Sequence, residues 1–110
     1  MIFDHRTYTC RPGTIKKQVA LYEEYGREPQ IRNLGEPYLW AMVETGDPNS
    51  FIHVWQYEDV NDRAQRRAAM AADPDWQAYL AKNAEAGYLV KQVNTILMPP
   101  PFFKPLKRDS

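Results

Sequence analysis

One histidine, one arginine and a group of aromatic side chains are spaced along this chain so that they can share a surface, and they are the residues best placed to do chemistry. The run Phe51-Ile52-His53-Val54-Trp55-Gln56-Tyr57 reads as a central β-strand. Strand side chains alternate with period two, so Phe51, His53, Trp55 and Tyr57 fall on one face. An imidazole titrates near neutrality, and on an aromatic cavity wall it would serve as a general base or hold a substrate carbonyl. The alternative is a structural histidine that hydrogen-bonds across an interface. Within residues 1–10, Ile2, Asp4, Arg6 and Tyr8 share a face. An arginine inside an aromatic cavity needs a partner, because an unpaired buried charge is too costly. That partner would be the carboxylate or enolate of a small substrate, or an internal acid, Asp4 or Glu44. His53 and Arg6 are therefore the candidate catalytic residues. Tyr8, Trp40, Glu44, Trp55 and Tyr57 are the candidate ligand-binding residues, and plain dimer core is the competing role for Trp40, Trp55 and Tyr57.

Other chemistries find little support. No Ser-His-Asp order, phosphate-binding glycine loop, dinucleotide fingerprint or zinc-ligand cluster is present, so neither a metal nor a cofactor is expected. Cys10 is the only cysteine, which excludes an intrachain disulfide; its expected role is a half-buried residue at the end of a strand. Fourteen basic residues balance fourteen acidic ones, whereas a nucleic-acid partner calls for a basic surplus. Residues 1–10 do not resemble a signal peptide, and no apolar run approaches the ~20 residues that span a bilayer. A cytoplasmic protein with no membrane partner is expected. Arg63, Arg66 and Arg67 read as a solvated helix face on which Asp59 and Asp62 pair with Arg63 and Arg66. Trp76, Tyr79 and Leu80 read as helix packing without a functional role.

A chain of 110 residues with 44% apolar side chains is the size and composition of one domain. Residues 1–10 are expected to form a strand. A helix follows, capped by Thr14, with Ile15, Val19 and Tyr22 on one side and Gly26 as its stop. Residues 27–37 are expected to be a loop. Residues 38–45 and 51–57 should form an antiparallel hairpin across Gly46-Asp47-Pro48-Asn49-Ser50. Two helical pieces come next, over 59–72 with an Asn61 or Asp62 cap, and from Asp73-Pro74 to Gly87. Residues 88–98 form the last strand. Residues 1–98 thus make one α+β domain of order βαββαβ, the ferredoxin-like arrangement of a four-stranded antiparallel sheet with helices on one face. Residues 99–110 form a proline-rich extended arm.

The aliphatic face of the central strand, Ile52 and Val54, suits packing under the helices. That leaves Tyr8, Trp40, Met42, Phe51, Trp55 and Tyr57 on the open face, too large an apolar patch for a monomer. Burying several aromatics contributes on the order of 10–20 kcal/mol gross at ~25 cal/mol per Å², and a second copy of the chain is the simplest cover. A homodimer with a ligand cavity between its two sheets is the expectation.

The segment Phe3-Asp4-His5-Arg6-Thr7-Tyr8 leading to Pro12-Gly13 resembles the YELRTYxxxPG opening of NIPSNAP proteins. Asn49 through Tyr57, followed by Arg63, Arg67 and Asp73-Pro74-Asp75-Trp76, resembles a second stretch of that family, and the likeness extends over about 2–98. Asp4 stands where glutamate is usual and His5 where an aliphatic residue is common. The absence of an organelle-targeting extension resembles the stand-alone bacterial type. The resemblance implies a dimeric α+β barrel, a group that includes cofactor-free monooxygenases, isomerases and haem enzymes. A haem-ligand role for His53 would rest on that analogy alone. Two functions follow as expectations. One is binding of a small apolar or aromatic molecule, extended in the enzyme reading to a cofactor-independent monooxygenase or isomerase in which His53 accepts a proton and Arg6 holds an oxyanion. The other is a non-catalytic dimerisation or interaction module.

Overall fold

The computed structural model describes residues 1–105, so the end of the expected arm, 106–110, lies outside the described residues. Four strands, β1 (Ile2–Cys10), β2 (Leu39–Met42), β3 (Ser50–Tyr57) and β4 (Leu89–Leu97), form one antiparallel sheet in the order β2-β3-β1-β4. Four α-helices complete the fold: α1 (Ile15–Leu21), α2 (Arg27–Leu34), α3 (Val60–Ala72) and α4 (Pro74–Ala86). This is the expected α+β, ferredoxin-like architecture. Register places Arg6 opposite His53 on one side and Asn94 on the other, while Trp40 also faces His53.

The first helical region departs from expectation. Gly26 does not stop it, and 27–37 is mostly helix rather than loop. A π-helical segment, Tyr22–Gly26, joins α1 to α2, and the Arg27 N–H reaches back to the Tyr22 carbonyl. The wide turn comes just before Pro29, whose ring would press on the carbonyl four residues back in a regular α-helix. Gly35, at φ 82°, ends α2, a conformation that glycine reaches without steric cost. Thr14 does not cap α1 through its side chain; its hydroxyl donates to the Arg11 carbonyl instead.

The second helical pair is close to its sequence reading. Asp59, rather than Asn61 or Asp62, caps α3 by accepting from the Asp62 N–H. Asp73 caps α4 through the Asp75 N–H, Pro74 takes the first turn, and Gly87 ends the helix at φ 65°. Arg32 and Asn33 at the end of α2 both bond Asp73, at 2.8 and 2.9 Å. Those two partners hold the Asp73 carboxyl down at about 2.

The largest correction concerns which face the helices choose. They cover the aromatic face, not the aliphatic one. Trp55 and Tyr57 join Ile2, Leu34 and Met70 in the main core cluster, with Trp76 packed against it. The Tyr22 ring, from the helical layer, lies 4.9 Å from His53 and 6.2 Å from Trp40. The helix-free face therefore carries Phe3, His5 and Thr7 from β1, Leu39 and Ala41 from β2, Ile52 and Val54 from β3, and Val93, Thr95 and Leu97 from β4. The reason is electrostatic as well as apolar. Asp4 is fully buried and pairs with Arg6 on its own strand, and α3, lying over the same face, adds Arg63 Nε at 3.0 Å.

Candidate functional site

Alternation along β1 and β3 projects Arg6, Tyr8, Phe51 and His53 under the helices. There a cavity of about 230 Å³ opens between sheet and helical layer. The helices close it with Gln18 from α1, Tyr22 and Gln30 around the π-helical segment, Arg67 and Met70 from α3, and Trp76, Tyr79 and Asn83 from α4. A second, more apolar cleft of about 210 Å³, lined by Val19, Trp40, Met42 and Arg27, shares Tyr22, Phe51 and His53 with the first. His53 thus stands in the wall between the two.

The imidazole is 5% exposed and sits among five aromatic rings. Centroid distances are 4.9 Å to Tyr22, 5.2 Å to Tyr8, 5.4 Å to Phe51, 5.9 Å to Trp55 and 6.4 Å to Trp40. Burial, and secondarily the Arg6 charge, lower its pKa from 6.5 to about 4. His53 is therefore neutral at pH 7, and its Nδ1 is buried without a hydrogen-bond partner.

Arg6 resolves its two expected partners in favour of Asp4. Its Nε and Nη2 donate to the two Asp4 carboxylate oxygens, each at 3.2 Å, and Nη1 makes a long 3.5 Å contact with the Tyr8 hydroxyl. Burial opposes the Arg6 cation, but Tyr8 and Asp4 together outweigh it and raise its pKa. Polar bridges brace the cavity wall: Gln18 Nε2 donates to the Tyr79 hydroxyl at 3.2 Å, and the Tyr22 hydroxyl donates to Gln30. Burial raises the pKa of both tyrosines, so they stay protonated.

Of the sequence candidates, His53, Arg6 and Tyr8 come together at this cavity. Trp40 lines the neighbouring cleft. Trp55 and Tyr57 are core residues and do not line either space. Glu44 lies exposed in the β2–β3 connection, away from both. The helical residues were missed. Asp62 does pair with Arg66 at 2.8 Å, but Arg63 turns inward to Asp4 rather than to Asp59, and Arg67 lines the cavity. Trp76, Tyr79 and Leu80, read as packing alone, line it too. The available signal was the spacing of Arg63, Arg67 and Met70, which puts all three on one stripe of α3. No group of three or more His, Cys, Asp or Glu side chains among the described residues is placed to hold a metal.

The NIPSNAP family model matches residues 3–104. The chain belongs to the NIPSNAP family. A NIPSNAP-like domain protein from Burkholderia xenovorans is 37% identical, with a TM-score of 0.86 over 96% of this chain and 90% of that one. Human protein NipSnap homolog 3A is 23% identical over 79 residues, 70% of this chain. The match covers only 31% of that relative's length. An antibiotic biosynthesis monooxygenase shares the fold at 17% identity and a TM-score of 0.62, over 92% of this chain and all of that one. The NIPSNAP fold here is thus the ferredoxin-like one, and none of its described helices is long and apolar enough to cross a membrane.

Proposed function

We propose that this NIPSNAP domain binds a small aromatic molecule beneath its helices and does so as one half of a homodimer. The observation that carries the reading is the cavity of about 230 Å³, in which the aromatic walls of Tyr8, Phe51, Trp76 and Tyr79 stand among the polar side chains of Arg6, Gln18, His53 and Arg67. Concave sites with aromatic walls and convergent polar groups are where small molecules bind. Dimerisation is supported by the helix-free face, where Leu39, Val93 and Leu97 are each 43–47% exposed. The ligand site then belongs to each protomer rather than to the space between two aromatic sheets. A cytoplasmic setting suits a chain with a single, unpaired cysteine.

Native mass spectrometry of the purified protein tests both parts. A dimer with a fixed additional mass on each protomer is expected, and the mass identifies the ligand class. A monomer would overturn the dimer. A dimer without any adduct that also fails to bind a panel of small aromatic molecules would overturn the binding role.

A second reading, cofactor-independent catalysis of the monooxygenase or isomerase kind, is favoured by one observation: the neutral, unpartnered His53 Nδ1 lies near the Arg6 cation. His53 would take a proton from an activated carbon acid, and Arg6 would stabilise the oxyanion that develops. At a pKa of about 4 the imidazole is a weak base, and the negative charge formed beside it in the reaction would strengthen it. His53→Ala should then abolish turnover and leave the dimer intact. A variant that turns over normally would remove His53 from the chemistry.

A further inference from the structure

We propose that the cavity beneath the helices selects an anion, so that its ligand is a small aromatic molecule carrying one acidic group, a carboxylate or an ionised enol, set against Arg67. This rests on reading the cavity as a binding site and adds the charge of what it binds.

Asp4 Oδ1 accepts from Arg6 Nε, while Oδ2 accepts from both Arg6 Nη2 and Arg63 Nε. Both oxygens of this fully buried carboxylate are engaged. Arg66, one residue before Arg67, points the other way and bonds Asp62 and the Leu34 carbonyl. Arg67 lies one helical turn beyond Arg63, is half-buried, and forms no ion pair among the described residues.

Its surroundings do not supply a counter-charge at contact range. Burial and the neighbouring Arg6 both work against the Arg67 cation, and Tyr57 and the distant Asp4 support it only in part. Arg6 and Arg63 thus share the one carboxylate, and the Arg67 guanidinium beside them is left without one of its own. Neither aspartate nor glutamate lines the cavity, and its histidine is neutral. A desolvated surplus of positive charge in a low-dielectric space favours an anionic ligand far more strongly than the same charges would in water.

The remaining polar atoms match that occupant only after an amide turns over. Gln18 Oε1, Asn83 Oδ1 and His53 Nδ1 are buried without hydrogen-bond partners, and all three residues line the cavity. Oxygen and nitrogen of a side-chain amide exchange places by a simple flip. Turning Gln18 over would let the Tyr79 hydroxyl donate to Oε1 and would aim the amide N–H groups at an acid. Tyr8, Phe51 and Trp76 provide the walls for an aromatic body.

The test is a calorimetric titration of the full chain with 2-naphthoate and with its neutral counterpart 2-naphthamide at pH 7.5. Naphthoate is expected to bind at least about ten-fold more tightly. Arg67→Gln should collapse that preference, the loss falling on naphthoate far more than on naphthamide, with the melting temperature confirming that the variant folds. Arg67→Lys, which keeps the charge, should retain most of the preference. Equal affinities for the two compounds in the unaltered protein, or a preference that survives Arg67→Gln, would overturn the anion proposal and leave the binding site standing. Failure of both compounds to bind would overturn the site and the proposal together.

Discussion

His53 is held neutral by its surroundings, and that has a consequence for stability. Five rings exclude water from the imidazole and Arg6 repels its protonated form, giving a pKa of about 4 against 6.5 in the unfolded chain. Between these values the unfolded state binds the proton and the folded state does not, so stability rises with pH across this window. It is fully present above pH 6.5 and lost progressively as the pH falls toward 4. The loss amounts to about 3 kcal/mol at ~1.4 kcal/mol per pKa unit. Urea denaturation at pH 4.5 and 7.5 should show this drop, and His53→Phe should flatten it; a profile of unchanged slope in the variant would assign the effect to other groups. At this scale β-strand alternation made His53, Arg6 and Tyr8 legible, because period two leaves no freedom in which residues share a face. Arg67 was hidden among Arg63 and Arg66. Three nearly consecutive arginines on a helix look alike until the helix is docked and each points a different way.

Among the elements, the π-helical segment Tyr22–Gly26 does the most to shape the site. It carries the Tyr22 ring over His53 and Trp40, and it brings the backbone at Gly26 against α4. A Cβ on Gly26 would lie 2.9 Å from ring carbons of both Tyr22 and Tyr79. Gly26→Ala should therefore destabilise the fold by about 1–3 kcal/mol, the usual cost of overpacking. A melting temperature within a degree of the parent would show that the two rings move aside freely. The carboxy-terminal arm is a second element with a measurable role. Phe103 packs edge-on against Phe3 at 6.0 Å, and Tyr38 does so at 5.2 Å, on the helix-free face. Truncation after Met98 uncovers Phe3 and should lower the melting temperature by several degrees; no change would show that the arm contributes nothing to stability. Caps at Asp73-Pro74 and Gly87 were readable because their chemistry is local. The helix through Gly26 and Pro29 was not, since both residues are breakers in isolation and only the widened turn and the packing of Tyr79 reconcile them with a helix.

For the molecule as a whole, the decisive feature is a sheet whose β1 and β3 are roofed by helices on one face, while the other face carries no helix and β4 is exposed on both sides. Val93, Leu97 and Leu39 lie on that helix-free face. Val93→Lys places a charge in the middle of this surface, opposite Thr7. Light scattering coupled to size exclusion should show the parent as a dimer and the variant as a monomer; a variant that remains dimeric would locate the interface elsewhere. The amino-acid sequence by itself determined the order of the strands, the second helical pair, the composition of each sheet face and the family, because hydrophobic period, turn residues and caps act over short distances. Only the tertiary structure decided which face the helices cover. Both faces of β3 are apolar enough to be buried, so periodicity cannot choose between them. The choice follows from long-range pairing, in which the buried Asp4–Arg6 pair gains Arg63 of α3 and the ring of His53 meets Tyr22, partners separated by tens of residues and brought together only when the chain closes.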